Sequence, residues 1–320
     1  MLKFMSLAVK LQLNVHDLNN ETGAGNVTDI RIMEFLDENG NKKEAPAVSG
    51  RMLKHWHYEA MRALINNGSY SLPLCAGCKT GEPIRPGEVT NGQLKQVPKP
   101  EQQILSSCCI CDIHGYLIAQ AAKQEGEGGI SSRRTSRAMF SWLMPVLGSE
   151  TAQKQVVHTR VSQQEEIAEG EGAAQMIFNK SYASGVYAFV SALDIDRISL
   201  VELNLGSSSS YAVGDDNGRK DRIKAAIEAY RYMLSGQMGA SLSHALPHCS
   251  PLEVLVLYSE GGPLPFPVSP MYSDYIKKTK GLMPEHAKVL YWGKDTPEAI
   301  SEEEKRNTIS DIFNELLSKI

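Results

Sequence analysis

From residue 7 to residue 15 the chain places Leu7, Val9, Leu11, Leu13 and Val15 on one face and Lys10, Gln12, Asn14 and His16 on the other. A period of two predicts a half-buried strand with a hydrogen-bonding outer face. Beyond the loop NNETGAGN, extended runs at 27–36 and 44–48 flank DENGNKK, whose Asn39-Gly40 pair predicts a hairpin turn. The period then changes. After Ser49, a good helix cap, Met52, Leu53, Trp56, Ala60, Ala63 and Leu64 recur at helical spacing, and the other face carries Arg51, Lys54, His55 and Arg62. A second amphipathic helix is predicted over 219–235, with Ile223, Ile227, Tyr230 and Leu234 inward and Arg219, Lys220, Arg222, Lys224 and Arg231 outward. Strand-like runs lie at 137–146 and 185–194, and LEVLVLY at 252–258 reads as a buried strand. A last helix, capped through Ser301 and Glu304, carries Ile309, Ile312, Phe313, Leu316, Leu317 and Ile320 on one face.

The resulting order is strand, helix, strand, strand, helix, strand. This is an α+β arrangement in ferredoxin-like order, shared with RNA-recognition-motif domains. Two insertions interrupt it. Residues 67–132 contain five of the six cysteines, and residues 148–182 hold VVHTRVS and AAQMIFNKS around an acidic, glycine-rich tip, which predicts a long β-hairpin. A chain of 320 residues can bury a sizeable core, as one elaborated domain or two. Its 33 basic and 37 acidic residues give a formal charge of −4, which excludes a polycationic surface but leaves room for a local basic groove. No apolar run approaches the ~18 residues of a membrane span. The N-terminal MLKFMSLAVKLQLNVHD lacks the continuous apolar region of a secretory signal, so a cytoplasmic protein with no membrane partner is expected.

The cysteines are clustered. Cys75 and Cys78 form one C-x-x-C, Cys108 and Cys111 a second 29 residues later, with Cys109 between them and only Cys249 apart. In a reducing compartment two such knuckles predict four thiolates closing a tetrahedron around a structural zinc ion. Cys109 could take the place of Cys108. The segment from LPLCAGCKTGEP to residue 100 is rich in Pro and Gly and would struggle to fold by packing alone.

Charge is also partitioned. Between 130 and 160, Arg133, Arg134, Arg137, Lys154 and Arg160 face a single acid, Glu150. Gly128-Gly129 before SSRRTSR adds backbone N–H groups and hydroxyls to guanidinium forks, the donors that phosphate oxygens accept from. Ser49-Gly50-Arg51 and the loop from Ser235 to Gly239 add further backbone donors. His55 and His57 sit about 200° apart on a helix, so one packs and the other reaches solvent. His16-Asp17 and Asp112 with His114 could mimic a metal-dependent nuclease site, although neither has a second nearby carboxylate and structural hydrogen bonding is the expected role.

Several segments together, VSGRMLKHWHYEA, CDIHGYLIAQ with SSRRTSR, VVHTRVS, EGAAQMIFNKSYASGVYAFVSALDID, RKDRIKAAIEAYRYMLSGQMGASLSHALP and EGGPLPFPV, make the chain resemble the DevR-like backbone subunit of the type I CRISPR effector complex Cascade, in its archaeal subtype I-A branch. The resemblance implies a recognition-motif palm (1–66, 133–147 and 183–320), a fingers insertion (67–132) and a thumb hairpin (148–182). It implies a non-enzymatic scaffold whose copies polymerise along one guide RNA, with the thumb displacing a base at intervals so that target DNA can pair with the guide. The implied partners are guide RNA, target DNA through the guide, neighbouring copies, other Cascade subunits and the helicase-nuclease effector. Carried onto this sequence, Ser49, Arg51, Lys54 and His55 would hold guide phosphates and Arg133, Arg134 and Arg137 would face the guide. His158 and Arg160 fall on the ascending thumb strand, Gln175, Met176 and Phe178 on the returning one. Gly236, Gly239, Ala240 and Ser241 would let backbone approach RNA. The double C-x-x-C is a departure from the expected pattern, so the zinc expectation rests on spacing. The acidic tip Glu165, Glu166, Glu169 and Glu171 suits a basic neighbour or solvent better than phosphate. The alternative implied by the wider superfamily is a metal-dependent RNA endonuclease.

Overall fold

Nine described strands form one sheet built around two long central ones. The computed structural model describes residues 1–22, 27–120, 130–161, 175–202, 210–215, 218–237, 242–243 and 245–320. β1 (Phe4–His16) is the alternating strand, begun three residues earlier than the pattern predicts. Leu7, Val9, Leu11 and Leu13 enter the main core, while Ala8 joins Leu255, Tyr275 and Tyr291 in a second, smaller core on the opposite face. The polar outer face is therefore confined to the second half of the strand, because the chain beyond residue 260 covers the first half.

β2 (Asn20–Thr22) and β3 (Val27–Ile30) form a small ribbon, and the predicted hairpin is β4 (Ile32–Leu36) with β5 (Lys42–Pro46). α1 (Gly50–Asn66) follows, with the Ser49 hydroxyl accepting from the Met52 N–H at 3.2 Å. The first insertion comprises α2 (Ala76–Thr80), β6 (Gly87–Thr90), β7 (Gln93–Gln96), α3 (Glu101–Ser107), α4 (Cys109–His114), β8 (Tyr116–Gln120) and β9 (Ile130–Arg134), with β6–β7 and β8–β9 as separate hairpins. The strand predicted at 137–146 is split into β10 (Ala138–Phe140) and β11 (Met144–Pro145), since Leu143 turns away to bridge Val48. β12 (Thr151–Val161) and β13 (Gln175–Asp194) form the second hairpin. α5 (Arg219–Leu234), β14 (His248–Ser259), α6 (Tyr275–Leu282), β15 (Lys288–Gly293) and α7 (Ile309–Ser318) complete the chain.

The sheet runs β15-β14-β1-β13-β3-β2, and β10, β11 and β12 pair with β13 on its other edge. α1 and α5 lie together on one face, where Trp56 and Met61 share a core with Ile223, Ile227 and Tyr230. Two expectations are corrected here. α7 is capped by Thr308 and Asp311 in a reciprocal box, whereas Ser301 and Glu304 form a turn tied to Lys280. Arg219 and Arg222, predicted outward on α5, are 2% and 1% exposed. Arg219 donates to the carbonyls of Ile198 and Ile195, and Arg222 to Asp112 and the Leu105 carbonyl, so the turn at 195–198 and helices α3 and α4 close over that end of the helix.

Candidate nucleic-acid interface and metal centre

The exposed stripe of α1 borders a cavity of about 540 Å³ between this helix and the first insertion. Arg51 and Lys54 come from the helix, and Arg85 from the loop preceding β6. Among the described residues no carboxylate lies within ion-pair distance of these three cations. Burial, then Arg85 and Arg51, lower Lys54 to about 8. The Arg85 guanidinium carbon stands 4.1 Å from the centre of the Tyr58 ring, a cation–π stack. His55 is exposed on this stripe and His57 is fully buried, as the helical spacing predicts. Tyr58 and Arg85 were not anticipated. Tyr58 follows Lys54 by four residues, so the period of the cationic stripe could have found it, whereas Arg85 depends on how the insertion folds.

Beneath this surface His57 Nε2 donates to the Ala226 carbonyl at 2.8 Å, because a carbonyl only accepts. Its Nδ1 is 3.1 Å from Nε2 of His114. Burial pushes His57 down to about 4 and His114 well below its ordinary value, so both rings are neutral at pH 7. His57 Nδ1 is then an acceptor, His114 Nε2 the donor, and His114 Nδ1 a bare acceptor that is buried in the cavity wall without a hydrogen-bond partner among the described residues.

The arginines of the SSRRTSR run divide. Arg133 is exposed on β9, but Arg134 and Arg137 are 4% and 1% exposed. Arg134 donates to Glu101 at 2.8 Å and to Asp112 at 2.7 Å, and Arg137 to Glu202 at 2.6 Å. The expectation that Arg134 and Arg137 face phosphate is therefore corrected: Arg134 borders the cavity but its donors go to the buried Glu101 and Asp112, and Arg137 is committed to Glu202. Asp112 also accepts from Arg222 at 2.8 Å and from both the N–H and the hydroxyl of Ser199 at 2.9 Å. Asp17 is buried against Lys180, and His16, pushed down to about 4 by burial, bonds to the Tyr187 hydroxyl at 3.0 Å. Neither acid of the nuclease alternative presents an open carboxylate to a metal ion, and both serve the structural role the sequence favours.

On the thumb-like hairpin His158 stacks on Phe178 across the β12–β13 ladder, with ring centres 5.3 Å apart, and the Tyr182 hydroxyl lies 3.1 Å from His158 Nε2. Arg160 pairs with Met176 and Val161 with Gln175 in the ladder, but the side chains of Arg160, Gln175 and Met176 lie outside the described residues. Sequence reasoning missed Val157 and Ile177, which are 64% and 52% exposed on the opposite face of the same ladder. Gly236 has φ +80°, terminates α5, and a Cβ there would come within 2.5 Å of Cys249 Cβ. Helix termination and packing thus account for this glycine. Gly239, Ala240, Ser241, Gly128-Gly129 and the acidic tip at 165–171 lie outside the described residues.

The two knuckles converge. The sulfur atoms of Cys75, Cys78, Cys108 and Cys111 all lie within 4.8 Å of one another, with Cys75 and Cys78 each 3.8 Å from Cys111. A tetrahedron with metal–sulfur bonds of about 2.3 Å has edges of about 3.8 Å, so the spacing fits a closed zinc site. Cys108, not Cys109, completes the set; Cys109 is buried in the apolar core, which pushes its thiol well up. Hydrogen bonds from Cys108, Cys111 and Cys78 hold the Cys75 thiol far below its ordinary range. The turn needs Gly77, where a Cβ would meet the Ile84 carbonyl oxygen at 2.0 Å.

The family described as "CRISPR-associated negative auto-regulator DevR/Csa2" matches residues 7–280. A Methanocaldococcus jannaschii protein named CRISPR-associated protein Cas7/Cst2/DevR is 27% identical over 335 residues, covering 99% of this chain and 100% of the relative. A Thermoproteus tenax protein of the same name is 30% identical over 319 residues, covering 93% and 91%. Among solved structures, a chain of a "CRISPR RNA-guided surveillance complex" shares the fold with TM-score 0.54 at 12% identity over 99% of both chains. With the greater part of its length matched, from β1 through α6, the chain belongs to the CRISPR-associated DevR/Csa2 family.

Proposed function

We propose that the chain is a multicopy backbone subunit of a type I Cascade complex, of the archaeal subtype I-A branch, that binds guide RNA and is not an enzyme. The observation that carries this reading is the α1 surface, where Arg51, Lys54 and Arg85 gather without a counter-charge among the described residues, in a protein whose net charge is negative. The names of the relatives and the fold shared with a surveillance-complex chain support it.

In this reading β14-β1-β13-β10, with α1 and α5 on one face, is a recognition-motif palm made from residues 1–66, 133–147 and 183–320. Residues 67–132 are fingers and 148–182 a thumb. Ser49, Arg51, Lys54, His55 and Arg133 address guide phosphates. His158, Arg160, Gln175, Met176 and Phe178 lie along the thumb, which separates guide segments so that target DNA can pair, and Gly239 and Ser241 approach the RNA backbone. Neighbouring copies, other Cascade subunits and the helicase-nuclease effector complete the assembly in the cytoplasm. A zinc ion in the four-cysteine cluster holds the fingers together.

Sequence-tolerant binding through phosphate contacts falls steeply with salt. Lys54→Gln and Arg51→Gln are expected to weaken binding equally for unrelated RNA sequences and to flatten the salt dependence. A change confined to one base preference, with salt dependence intact, contradicts the reading.

A further inference from the structure

Resting on the reading of α1 as an RNA-facing surface, we propose that the four-cysteine cluster builds the RNA pocket itself: it fixes the loop 82–87 so that Arg85 becomes a phosphate-binding arm beside Lys54, and metal occupancy sets the affinity for the ribose-phosphate backbone.

The loop is tied to the first knuckle through its backbone. The Glu82 N–H donates to the Gly77 carbonyl at 3.0 Å, the Gly87 N–H points at Cys75 Sγ at 3.5 Å, and the Ile84 carbonyl presses on Gly77. Of residues 82–87 only Pro86 and Gly87 are buried, so side-chain packing contributes little to where the loop sits. One helix residue spans both structures: the Tyr58 hydroxyl donates to the Cys78 carbonyl at 3.3 Å, and its ring carries the Arg85 guanidinium.

Electrostatics gives this anchoring its purpose. Arg51, Lys54 and Arg85 repel one another, and the lowered affinity of Lys54 for its proton registers that repulsion together with burial. Arg85 Nε is buried and has no hydrogen-bond partner among the described residues. A loop carrying such a cation drifts away from Lys54 unless something holds it. β7 holds its far end, where the Gln96 side chain donates to the Arg85 carbonyl and the Val97 N–H to the Pro86 carbonyl at 3.2 Å, and the cysteine turn anchors its near end. Among the described residues the three cations face no anion, and the cavity of about 540 Å³ falls in the range of ~300–1,000 Å³ typical of small-ligand sites. A guanidinium fork with open donors suits a phosphate oxygen pair.

The test uses the full-length, zinc-loaded protein and a fluorescent single-stranded RNA of mixed sequence. Arg85→Ala is expected to weaken binding about tenfold or more and to lower the salt slope by about 0.7, one phosphate's worth for a single strand. Stripping zinc with a chelator, verified by elemental analysis, is expected to weaken the wild type as much. It should weaken Arg85→Ala little further, because both changes remove one interaction, and zinc should restore the wild type. Wild-type binding by Arg85→Ala, or by a stripped protein whose circular dichroism is unchanged, overturns the proposal. Where stripping unfolds the chain, zinc-loaded Tyr58→Leu decides, since losing the platform should mimic Arg85→Ala and unchanged binding overturns the proposal. Failure of the loaded wild type to bind any RNA overturns the RNA-facing reading and the proposal with it, whereas binding that ignores Arg85 overturns the proposal alone.

Discussion

Asp112 gathers two guanidiniums and a serine in a site with no exposure to solvent, and its satisfaction depends on every partner staying in place. Removing one member of such a buried set leaves an uncompensated charge, which costs about 3–5 kcal/mol. Arg134→Ala is therefore expected to lower unfolding stability by that order in denaturant titration, with RNA binding following the folded fraction. The buried histidines give a second prediction. His16 and His57 are held near 4 against an ordinary value of 6.5, so between these values the unfolded chain binds more protons than the folded one. Their neutral burial supports the fold above about pH 6.5 and is lost as pH falls toward 4. A melting series on RNA-free protein should show a loss on the order of 2 kcal/mol per histidine by pH 4.5. Counting charges along SSRRTSR identified cations but not their partners. Arg134 meets Glu101 from 33 residues away and Arg137 meets Glu202 from 65, and no local pattern records such pairings.

Elements were legible where a single period governs them. α1, α5, β1 and β14 follow apolar spacings written in the sequence, and the Ser49 cap and Asn39-Gly40 turn act locally. The break between β10 and β11 was not legible, because it is set by a bridge to Val48, about a hundred residues earlier in the chain. The cysteine pattern predicted the cluster, and only three dimensions could choose Cys108 over Cys109. Protein purified without added metal should carry about one zinc per chain. Cys75→Ser or Cys111→Ser should lower the zinc content and the melting temperature, and substoichiometric zinc unaffected by either change contradicts the site. On the β12–β13 hairpin, Phe178→Ala removes a cross-strand stack worth about 0.2–1 kcal/mol, so amide exchange across β12–β13 should accelerate while the central sheet keeps its protection.

At the scale of the whole molecule, a chain of net charge −4 gathers cations with no carboxylate partner among the described residues along α1 and the loop before β6, and pairs Arg134 and Arg222 behind them with buried Asp112. That division keeps the basic groove small, as the proposed guide scaffold would need. Family membership rests on residues 7–280, the greater part of the chain, because the resemblance lies in the order of many segments rather than in one motif. The most direct test of the guide-scaffold account is to purify the tagged protein from its native host, extract the bound nucleic acid and sequence it. Short RNAs with common repeat-derived ends and varied interiors, each carrying several copies of the protein, are predicted. Recovery of assembled protein with no RNA, or with DNA alone, would contradict the account.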